Sequence, residues 1–337
     1  MKKGQYEKRQ ILQREIYLCN KVKKDENFVK KIIVFFLKCL IMLGLVLLFC
    51  FRFVMPQYLN NYQAALIDKN ERLCSIDGPK IVLVGNSNLA FGIDSRALEE
   101  AFGIPVVNMG MHGGLGNAFN EQAAVQNVCE GDIVILSYSN FDDGDVIRNQ
   151  ELAWITIENH LKLWNYIRPK DWKEMLKAYP TYLKDCLSLW SQGIGNMDSG
   201  DAYSRLQFNE YGDNVFDRPG LVPDTDFSPV HIPEIGEETI ERINELNARL
   251  EKEGATLLMT AYPIAICDYT PNREEYEAFS DEIGRLLDCP LISRYEDYMM
   301  DKELFYNTYM HLNNEGVGIR TALLIEDLKN YLDKNNE

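Results

Sequence analysis

Cysteine is sparse in this sequence, and its positions form no recognisable pattern. Five of the eight cysteines lie beyond residue 70, which is an odd number, and no two cysteines are separated by only two residues. None has the spacing to a histidine that is typical of zinc ligands. The sequence therefore predicts neither a disulfide framework nor a metal site, and we expect no cofactor.

Positive charge is scarce after residue 54. The chain has 35 Lys and Arg against 51 Asp and Glu; 12 of the basic and four of the acidic residues precede Met55, which leaves 23 against 47 from Met55 onward. Binding of nucleic acid needs a basic face for the phosphates. Nucleic acid is therefore excluded as an expected partner.

The glycine fingerprint of dinucleotide-binding proteins is also missing. That fingerprint follows the first strand of a βαβ unit and is completed by a ribose-binding acid. Here the glycine-dense loop, residues 110–116, follows the second predicted strand instead. A dinucleotide role is not expected.

A long apolar run is present near the N-terminus. Residues 32–55 are interrupted only by Lys38 and Arg52, and this length suffices to cross a hydrocarbon core of about 30 Å. Residues 1–31 form a basic tail, which the positive-inside rule places in the cytoplasm. No small-residue cleavage site follows, because residues 53–58 are bulky. We expect an uncleaved, single-pass anchor in the cell membrane with an extracellular domain; the alternative is a buried helix of a soluble protein.

Beyond a predicted stalk at 56–78, strand and helix patterns alternate through a domain at 79–335. The predicted strands are Ile81–Val84, Pro105–Asn108, Asp132–Tyr138, Thr256–Ala261 and Pro290–Ser293. Such alternation is typical of a parallel sheet covered by helices on both faces. The predicted fold is α/β, a flavodoxin-like three-layer sandwich with a five-stranded parallel sheet, preceded by one transmembrane helix.

A helical and irregular insertion at about 145–235 interrupts this alternation and holds all four tryptophans. An insertion of this length is often functional. It is expected either to cap the site or to line a sugar-binding groove with its aromatic rings. The alternative is that the tryptophans only pack the inserted helices together.

Polar and glycine residues follow the first three strands, and the carboxyl ends of parallel strands meet at one edge of a sheet. Ser87 follows the first strand as a candidate nucleophile. Gly110 and Gly113 follow the second and would bring backbone N–H groups to an oxyanion. Asn140 follows the third with a side-chain amide for the same oxygen. His311, before the last predicted helix, is the candidate base.

Ser87 and the three remaining histidines also allow interpretations without a catalytic role. Ser87 would serve only in a turn that caps the next helix. His112, inside the glycine loop, would line the site or simply pack at the surface. His231, in the insertion, would reach the cleft or remain outside it, and His160 is expected to be structural.

Four short motifs resemble those of the SGNH (GDSL-like) hydrolases. They are Gly85–Asn88, Asn108–Gly113, Ser139–Phe141 and His311–Gly316. The resemblance covers residues 79–144 and 237–325. Within this family, the chain resembles the membrane-anchored, cell-surface branch. That branch includes proteins similar to those of teichoic-acid D-alanylation and polysaccharide O-acetylation.

This resemblance implies a serine esterase or acyltransferase acting on O-acyl (acetyl) groups of an extracellular or cell-wall polysaccharide. Ser87 would be the nucleophile and His311 the base, with Gly113 and Asn140 as oxyanion donors. The partners implied are the membrane, through one helix, the glycan substrate, and a membrane protein that donates acyl groups.

One residue that the family normally carries is missing. An aspartate three or four residues before the histidine orients the imidazole, but this chain has Thr308 and Asn307 there. In serine proteases the loss of this charge lowers turnover by about 10⁴-fold. A backbone carbonyl, or a displaced acid such as Asp301 or Asp297, would compensate. The alternative is a catalytically weakened or inactive SGNH-like scaffold or binding module in a cell-envelope polysaccharide assembly complex.

Overall fold

The computed structural model describes residues 2–158, 160–227, 230–268 and 270–336. The chain divides between Met55 and Pro56 into two units. The first unit is one helix, α1 (Lys2–Phe49), continued by a π-helical turn at Cys50–Val54. Its segment Phe28–Val54 is long and apolar enough to cross a membrane. One such helix near an N-terminus fits a single membrane span and equally fits a signal sequence.

The second unit is built on a four-stranded parallel sheet. Its strands are β1 (Ile81–Gly85), β2 (Val106–Asn108), β3 (Ile133–Ser137) and β4 (Thr256–Thr260), in the order β2-β1-β3-β4. The register pairs Gly85 with Ser137, and Ser137 with Thr260. Three strands therefore end at the same level and deliver their following loops to one edge.

The predicted fifth strand is not confirmed. Residues 290–293 form only a single parallel bridge, between Met259 and Leu291, at the outer side of β4. Proline at 290 has no N–H to donate to a ladder, and the contact consists of two backbone hydrogen bonds at Met259. A separate two-stranded parallel sheet, which the sequence did not predict, joins β5 (Ile264–Ile266) to β6 (Met299–Asp301).

Helices cover both faces of the sheet. In chain order they are α2 (Ala65–Ser75), α3 (Ser87–Ala90), α4 (Ser95–Phe102), α5 (Asn117–Ala124), α6 (Gln150–Ile157), α7 (Trp172–Gln192), α8 (Glu237–Lys252), α9 (Arg273–Leu286) and α10 (Asn314–Asn336). The helix α4 begins after Asp94, a residue type favoured at this position, whose side chain accepts hydrogen bonds from two backbone N–H groups of the first turn. It ends at Gly103, whose φ of 65° suits glycine.

The core on one face of the sheet lies between the strands and two helices. The helices contribute Leu98 of α4 and Leu324 and Leu328 of α10 to this core. The strand residues of this cluster, all nearly or fully buried, are Ile81, Leu83, Val106, Ile133, Ile135 and Leu258. On the other face, α5 packs against β1 and α8 against β4. Every residue of β1, β2 and β3 is buried, as expected for parallel strands that helices cover on both faces.

Residues 56–78, predicted as a stalk, form part of the second unit. Leu66 and Leu73 of α2 are fully buried, and so, to within 1%, is Lys69. The Lys69 ammonium donates to the carbonyl oxygens of Asn108, Gly110 and Gly212 at 2.7–2.9 Å. This segment therefore holds the glycine loop that follows β2.

The tryptophans of the insertion pack its helices together. The Trp154 ring lies 5.7 Å from that of Trp164 and 6.0 Å from that of Trp172, measured between centroids. Its Nε1 donates to the Met175 carbonyl of α7 at 2.7 Å. The packing alternative therefore holds for these three tryptophans, whereas Trp190 is 45% exposed.

A buried ion pair lies at the amino-terminal end of the sheet, just before β1 and β3 begin. The Lys80 ammonium lies 2.8 Å from the Asp132 carboxylate, and both side chains are fully buried. We expect Lys80→Met to lower the free energy of unfolding by about 3–5 kcal/mol, because it leaves a buried carboxylate without its cation. Urea unfolding followed by tryptophan fluorescence measures this loss.

The matched control is the double variant Lys80→Met with Asp132→Asn, because the Asp132 side chain also accepts from the backbone N–H groups of Lys80 and Cys129 at 2.9 Å. Removing both charges while an acceptor oxygen remains is expected to recover most of the lost stability, since no unpaired charge is then buried. A double variant as unstable as the single one would contradict the electrostatic explanation and point to lost packing.

Candidate functional site

A cavity of about 420 Å³ lies at the carboxyl ends of the strands. Its lining comes from the loops after β1, β2 and β3, from the segment before His311 and from the insertion. The lining residues are Asn86, Gly113, Asn117, Ser139, Asn140, Asp142, Asp143, Arg148, His231, Pro233, Glu234, Tyr309 and Met310. Three of the four motifs, and the segment just before the fourth, therefore reach one cavity.

Ser87 is the first residue of α3, and it is half-buried. Asn86 caps this helix, its side chain accepting from the Asn88 N–H at 3.0 Å. The Ser87 N–H, at the first helical position, lies outside the intrahelical ladder. Ser87 and His311 adjoin the lining residues Asn86 and Met310 in the chain, but they are not among the lining residues themselves.

His311 is held against the segment that follows α3. Its ring, in a residue only 5% exposed, stacks on Phe91 with 4.2 Å between centroids and 12° between planes. Phe91 is the fourth residue after Ser87, so the candidate base lies beside the nucleophile segment. Within the described residues, no hydrogen bond joins the Ser87 hydroxyl to the His311 ring. The segments of Ser87 and His311 are thus neighbours in the fold, but the two side chains are not hydrogen-bonded to each other.

Asn307 occupies the orienting position next to the histidine. Its Oδ1 lies 2.9 Å from His311 Nδ1, and its Nδ2 donates to the Tyr203 hydroxyl at 3.0 Å. Because the amide N–H₂ is directed at Tyr203, the amide oxygen faces the ring and Nδ1 carries the proton. This tautomer leaves His311 Nε2 as the proton acceptor.

The other two orienting candidates do not contact the ring. The Thr308 hydroxyl accepts from the backbone N–H groups of Met310 and His311 at 3.2 and 3.1 Å, and so shapes the turn. Asp301 ends β6 and is exposed. Among the described contacts of the His311 ring, the polar partner is therefore a neutral amide.

The surroundings of His311 oppose its protonation. Burial, followed by the positive charge of Arg218 and then by His112, lowers the pKa of His311 to about 3. The imidazole is therefore neutral at physiological pH and available as a base, but a site with this charge distribution stabilises the imidazolium poorly. A carboxylate would have the opposite effect.

The two glycines predicted as oxyanion donors differ. A Cβ on Gly110 would lie 2.8 Å from both Ala90 N and Leu89 Cβ, and its N–H donates to the Asn108 side chain at 2.9 Å. Gly110 therefore serves close packing against α3. The Gly113 N–H makes no hydrogen bond to any described residue, and Gly113 lines the cavity. Gly113 is the better placed donor.

Asn140 presents an unused amide to the cavity. Its Oδ1 accepts from the Asp142 N–H at 2.9 Å, and its carbonyl accepts from Asn117 Nδ2 at 2.9 Å. These contacts fix the backbone and the amide plane, while Nδ2 has no acceptor among the described residues. The side chain is half-buried. It is thereby preorganised to donate to a developing negative charge.

A buried cation that sequence reasoning missed lies beneath α3. Arg320 of α10 is 1% exposed, and its Nη2 donates to Asn88 Oδ1 at 2.7 Å and to Ser137 Oγ at 2.9 Å. Burial lowers the pKa of its guanidinium to about 9. No described carboxylate contacts it. Nothing in the sequence indicated that Arg320 is buried, because an acid-rich helix is expected to expose its charged residues to solvent.

His231 reaches the cavity from the insertion, as one of its two alternatives predicted. Acidic side chains lie there too. Asp143 has structural partners, accepting from the Asn117 N–H at 2.6 Å and pairing with Arg242 at 3.5 Å. Asp142 and Glu234 line the cavity as well. No cluster of three His, Cys, Asp or Glu side chains within the described ranges is arranged to hold a metal ion.

Comparison of the chain with protein-family models, with curated proteins and with solved structures finds no match.

Proposed function

We propose that this protein is an SGNH-like serine esterase or O-acyltransferase that acts on O-acyl groups of an extracellular or cell-wall polysaccharide. The observation that carries the proposal is the cavity at the strand edge, where residues of the nucleophile, glycine and asparagine motifs meet the segment that precedes His311. Its volume of about 420 Å³ lies within the usual range of ligand sites.

The surroundings of the cavity support a polymeric, hydroxyl-rich substrate. A second cavity of about 510 Å³ shares Asp142, Asp143 and Arg148 with the first and continues to Lys170 and Glu174 at the start of α7. The two cavities therefore adjoin along these three polar residues, and the second adds the apolar side chains of Val146 and Ile147. Carboxylate, amide and guanidinium groups are the partners that sugar hydroxyls hydrogen-bond.

In the proposed mechanism, Ser87 Oγ attacks the acyl carbonyl while His311 Nε2 takes its proton. The tetrahedral oxyanion accepts hydrogen bonds from the Ser87 and Gly113 N–H groups and from Asn140 Nδ2. His311 then gives its proton to the departing alkoxide, which leaves an acyl-serine. Water as the second nucleophile gives hydrolysis, and a sugar hydroxyl gives transfer.

The remaining parts of the proposal concern the cellular setting. A flavodoxin-like three-layer domain would lie outside the cell, anchored by Phe28–Val54 with the basic N-terminus in the cytoplasm. A membrane protein would supply acyl groups for the transfer reaction. The length and apolar character of the helix support the anchor, and the excess of Lys and Arg before it supports the orientation.

The test is labelling of the full-length protein, in detergent micelles, with a fluorophosphonate probe that reacts only with activated serines. We expect one adduct, located by mass spectrometry in the peptide that contains Ser87. The variant Ser188→Ala, which alters an exposed serine of α7, is the matched control and should label like the wild type. No labelling, or labelling unaffected by Ser87→Ala, would overturn the proposed nucleophile.

A second candidate function is a non-catalytic SGNH-like module in a polysaccharide assembly complex. The neutral Asn307 beside His311 and the low pKa of that histidine favour it. Turnover of an acetyl ester that depends on both Ser87 and His311 would rule this function out. Binding of the polysaccharide without turnover, unaffected by Ser87→Ala, would support it.

A further inference from the structure

Arg218 belongs to the insertion, yet it joins the two segments that carry the candidate nucleophile and base. Its Nη2 donates to the Phe91 carbonyl at 3.3 Å, at the end of the Ser87 segment. Its Nε donates to the Leu312 carbonyl at 2.9 Å, one residue after His311. The guanidinium also lies 5.1 Å from the centre of the Phe91 ring on which His311 stacks.

The side chain is fixed from its own side as well. Arg218 Nη1 donates to Asn214 Oδ1 at 2.7 Å, and the Arg218 backbone exchanges hydrogen bonds with Asn314 at the start of α10. Arg218 is 3% exposed. Its five N–H donors thus form a rigid fork between two loops, which the single ammonium of a lysine does not reproduce.

The charge of Arg218 has no carboxylate in contact with it among the described residues. The adjacent Asp217 is exposed and accepts from Asn314 Nδ2 at 2.7 Å instead. Burial lowers the pKa of Arg218 to about 10, partly offset by Tyr306 and Asp217. The guanidinium therefore remains a cation at neutral pH beside the buried imidazole.

Few titratable groups act on His311. They are Arg218 and Tyr203 from the insertion and His112 from the loop after β2, while the turn before it supplies the neutral Asn307 and Thr308. The Phe91 segment supplies an apolar ring. Within this set Arg218 is the one permanent charge.

We propose that Arg218 is a positioning residue, which sets the spacing of the Ser87 and His311 segments and holds a positive charge close to the His311 ring. This inference rests on the proposed function for its catalytic meaning, but its electrostatic part is independent of turnover. It makes the insertion an integral part of the site instead of a removable cover.

The experiment follows the titration of histidine by NMR in full-length protein labelled with ¹⁵N-histidine, in detergent micelles. The chain has only four histidines, and His311→Gln assigns the signal. In Arg218→Met we expect the His311 midpoint to rise by about one pH unit or more, because a nearby like charge has been removed. In Arg218→Lys, which retains the charge, the midpoint should stay close to that of the wild type.

The matched control is Arg205→Met, which removes an arginine of the insertion that acts on His160 and not on His311. It should raise the His160 midpoint and leave His311 unchanged. An unchanged His311 midpoint in folded Arg218→Met protein would overturn the proposed electrostatic role.

The spacing role is measured by the rate of fluorophosphonate labelling. Arg218→Lys should slow it by about tenfold, because the two-loop bridge is lost while the charge remains. Labelling of Arg218→Lys at the wild-type rate would overturn the spacing role. Absence of labelling in every form, the wild type included, would overturn the proposed function, and the NMR titration would still decide whether the Arg218 charge acts on His311.

Discussion

An aspartate in place of Asn307 is expected to raise ester turnover by about 10³- to 10⁴-fold, the reverse of the loss that follows when a serine protease exchanges this aspartate for asparagine. Asn307 Oδ1 already lies 2.9 Å from His311 Nδ1, so the carboxylate would occupy the same place. The other partner is compatible, because the Tyr203 hydroxyl, now an acceptor from Asn307, would donate to the second carboxylate oxygen. The kcat/KM for a nitrophenyl acetate gives the ratio.

The pH profile provides the internal check on this variant. A carboxylate stabilises the imidazolium, so the pKa of His311 should rise from about 3 toward the ordinary value of a histidine. The base must be neutral to act; the variant should therefore lose activity as the pH falls below its raised pKa, whereas the wild type keeps its own rate down to about pH 4. Unchanged turnover with an unshifted acid limb would contradict the orienting role of Asn307.

The matched control is Asn307→Leu, which removes the acceptor without adding charge. It should lower turnover, because the Nδ1–H tautomer loses its partner. Equal gains in the Asp and Leu variants would show that relief of packing, and not the carboxylate, is responsible.

Ser87→Ala is expected to lower turnover by about 10²-fold in the wild-type background. In a serine protease, loss of the nucleophile costs about 2 × 10⁶ in kcat and loss of the aspartate alone about 3 × 10⁴. The nucleophile, the histidine and the aspartate act as a unit, so their losses in kcat do not multiply. A site that already lacks the carboxylate is therefore expected to lose only the ratio of the two factors, about 10², when its serine is removed. The same ester assay, with the uncatalysed rate subtracted, measures it.

The Asn307→Asp background makes the test of Ser87 sharper. There the serine should regain its full contribution, and Ser87→Ala should cost about 10⁵-fold or more. A loss of the same size in both backgrounds would show that Ser87 and His311 do not work together. Ser139→Ala identifies the nucleophile: if Ser139, which lines the same cavity, carries the activity, this variant abolishes turnover and Ser87→Ala does not.

The elements that the sequence predicts correctly are those set by local patterns. The four strands of the main sheet are short apolar runs bounded by turn residues, and α4 has both its caps in the sequence. The fifth strand failed because residues 290–293 bond to β4 only at Met259, which gives a single bridge, whereas the equally short run Pro105–Asn108 pairs along β1 and forms β2. Local pattern cannot distinguish a bridge from a strand.

The site divides in the same way. The resemblance predicted Asn307 at the orienting position of His311, and the order of the loops predicted that Gly113 and Asn140 lie at one edge of the sheet, where they line the same cavity. The buried cations Lys69, Arg218 and Arg320 had no local signal, since such residues are usually solvated. Their partners lie far away in sequence; Asn88 and Arg320, for example, are 232 positions apart. Only the tertiary fold reveals such contacts.

Lys69 donates to three carbonyl oxygens of the second unit, so the position of a proteolytic cut in the preceding segment determines whether these hydrogen bonds remain. A cut before Pro56 would free the second unit with its ammonium group still bound to Asn108, Gly110 and Gly212. A cut between Lys69 and Pro79 would sever that group from the sheet it supports and leave three buried acceptors unpaired. Cleavage before Pro56 therefore leaves these three contacts in the second unit, whereas cleavage some twenty residues later removes them.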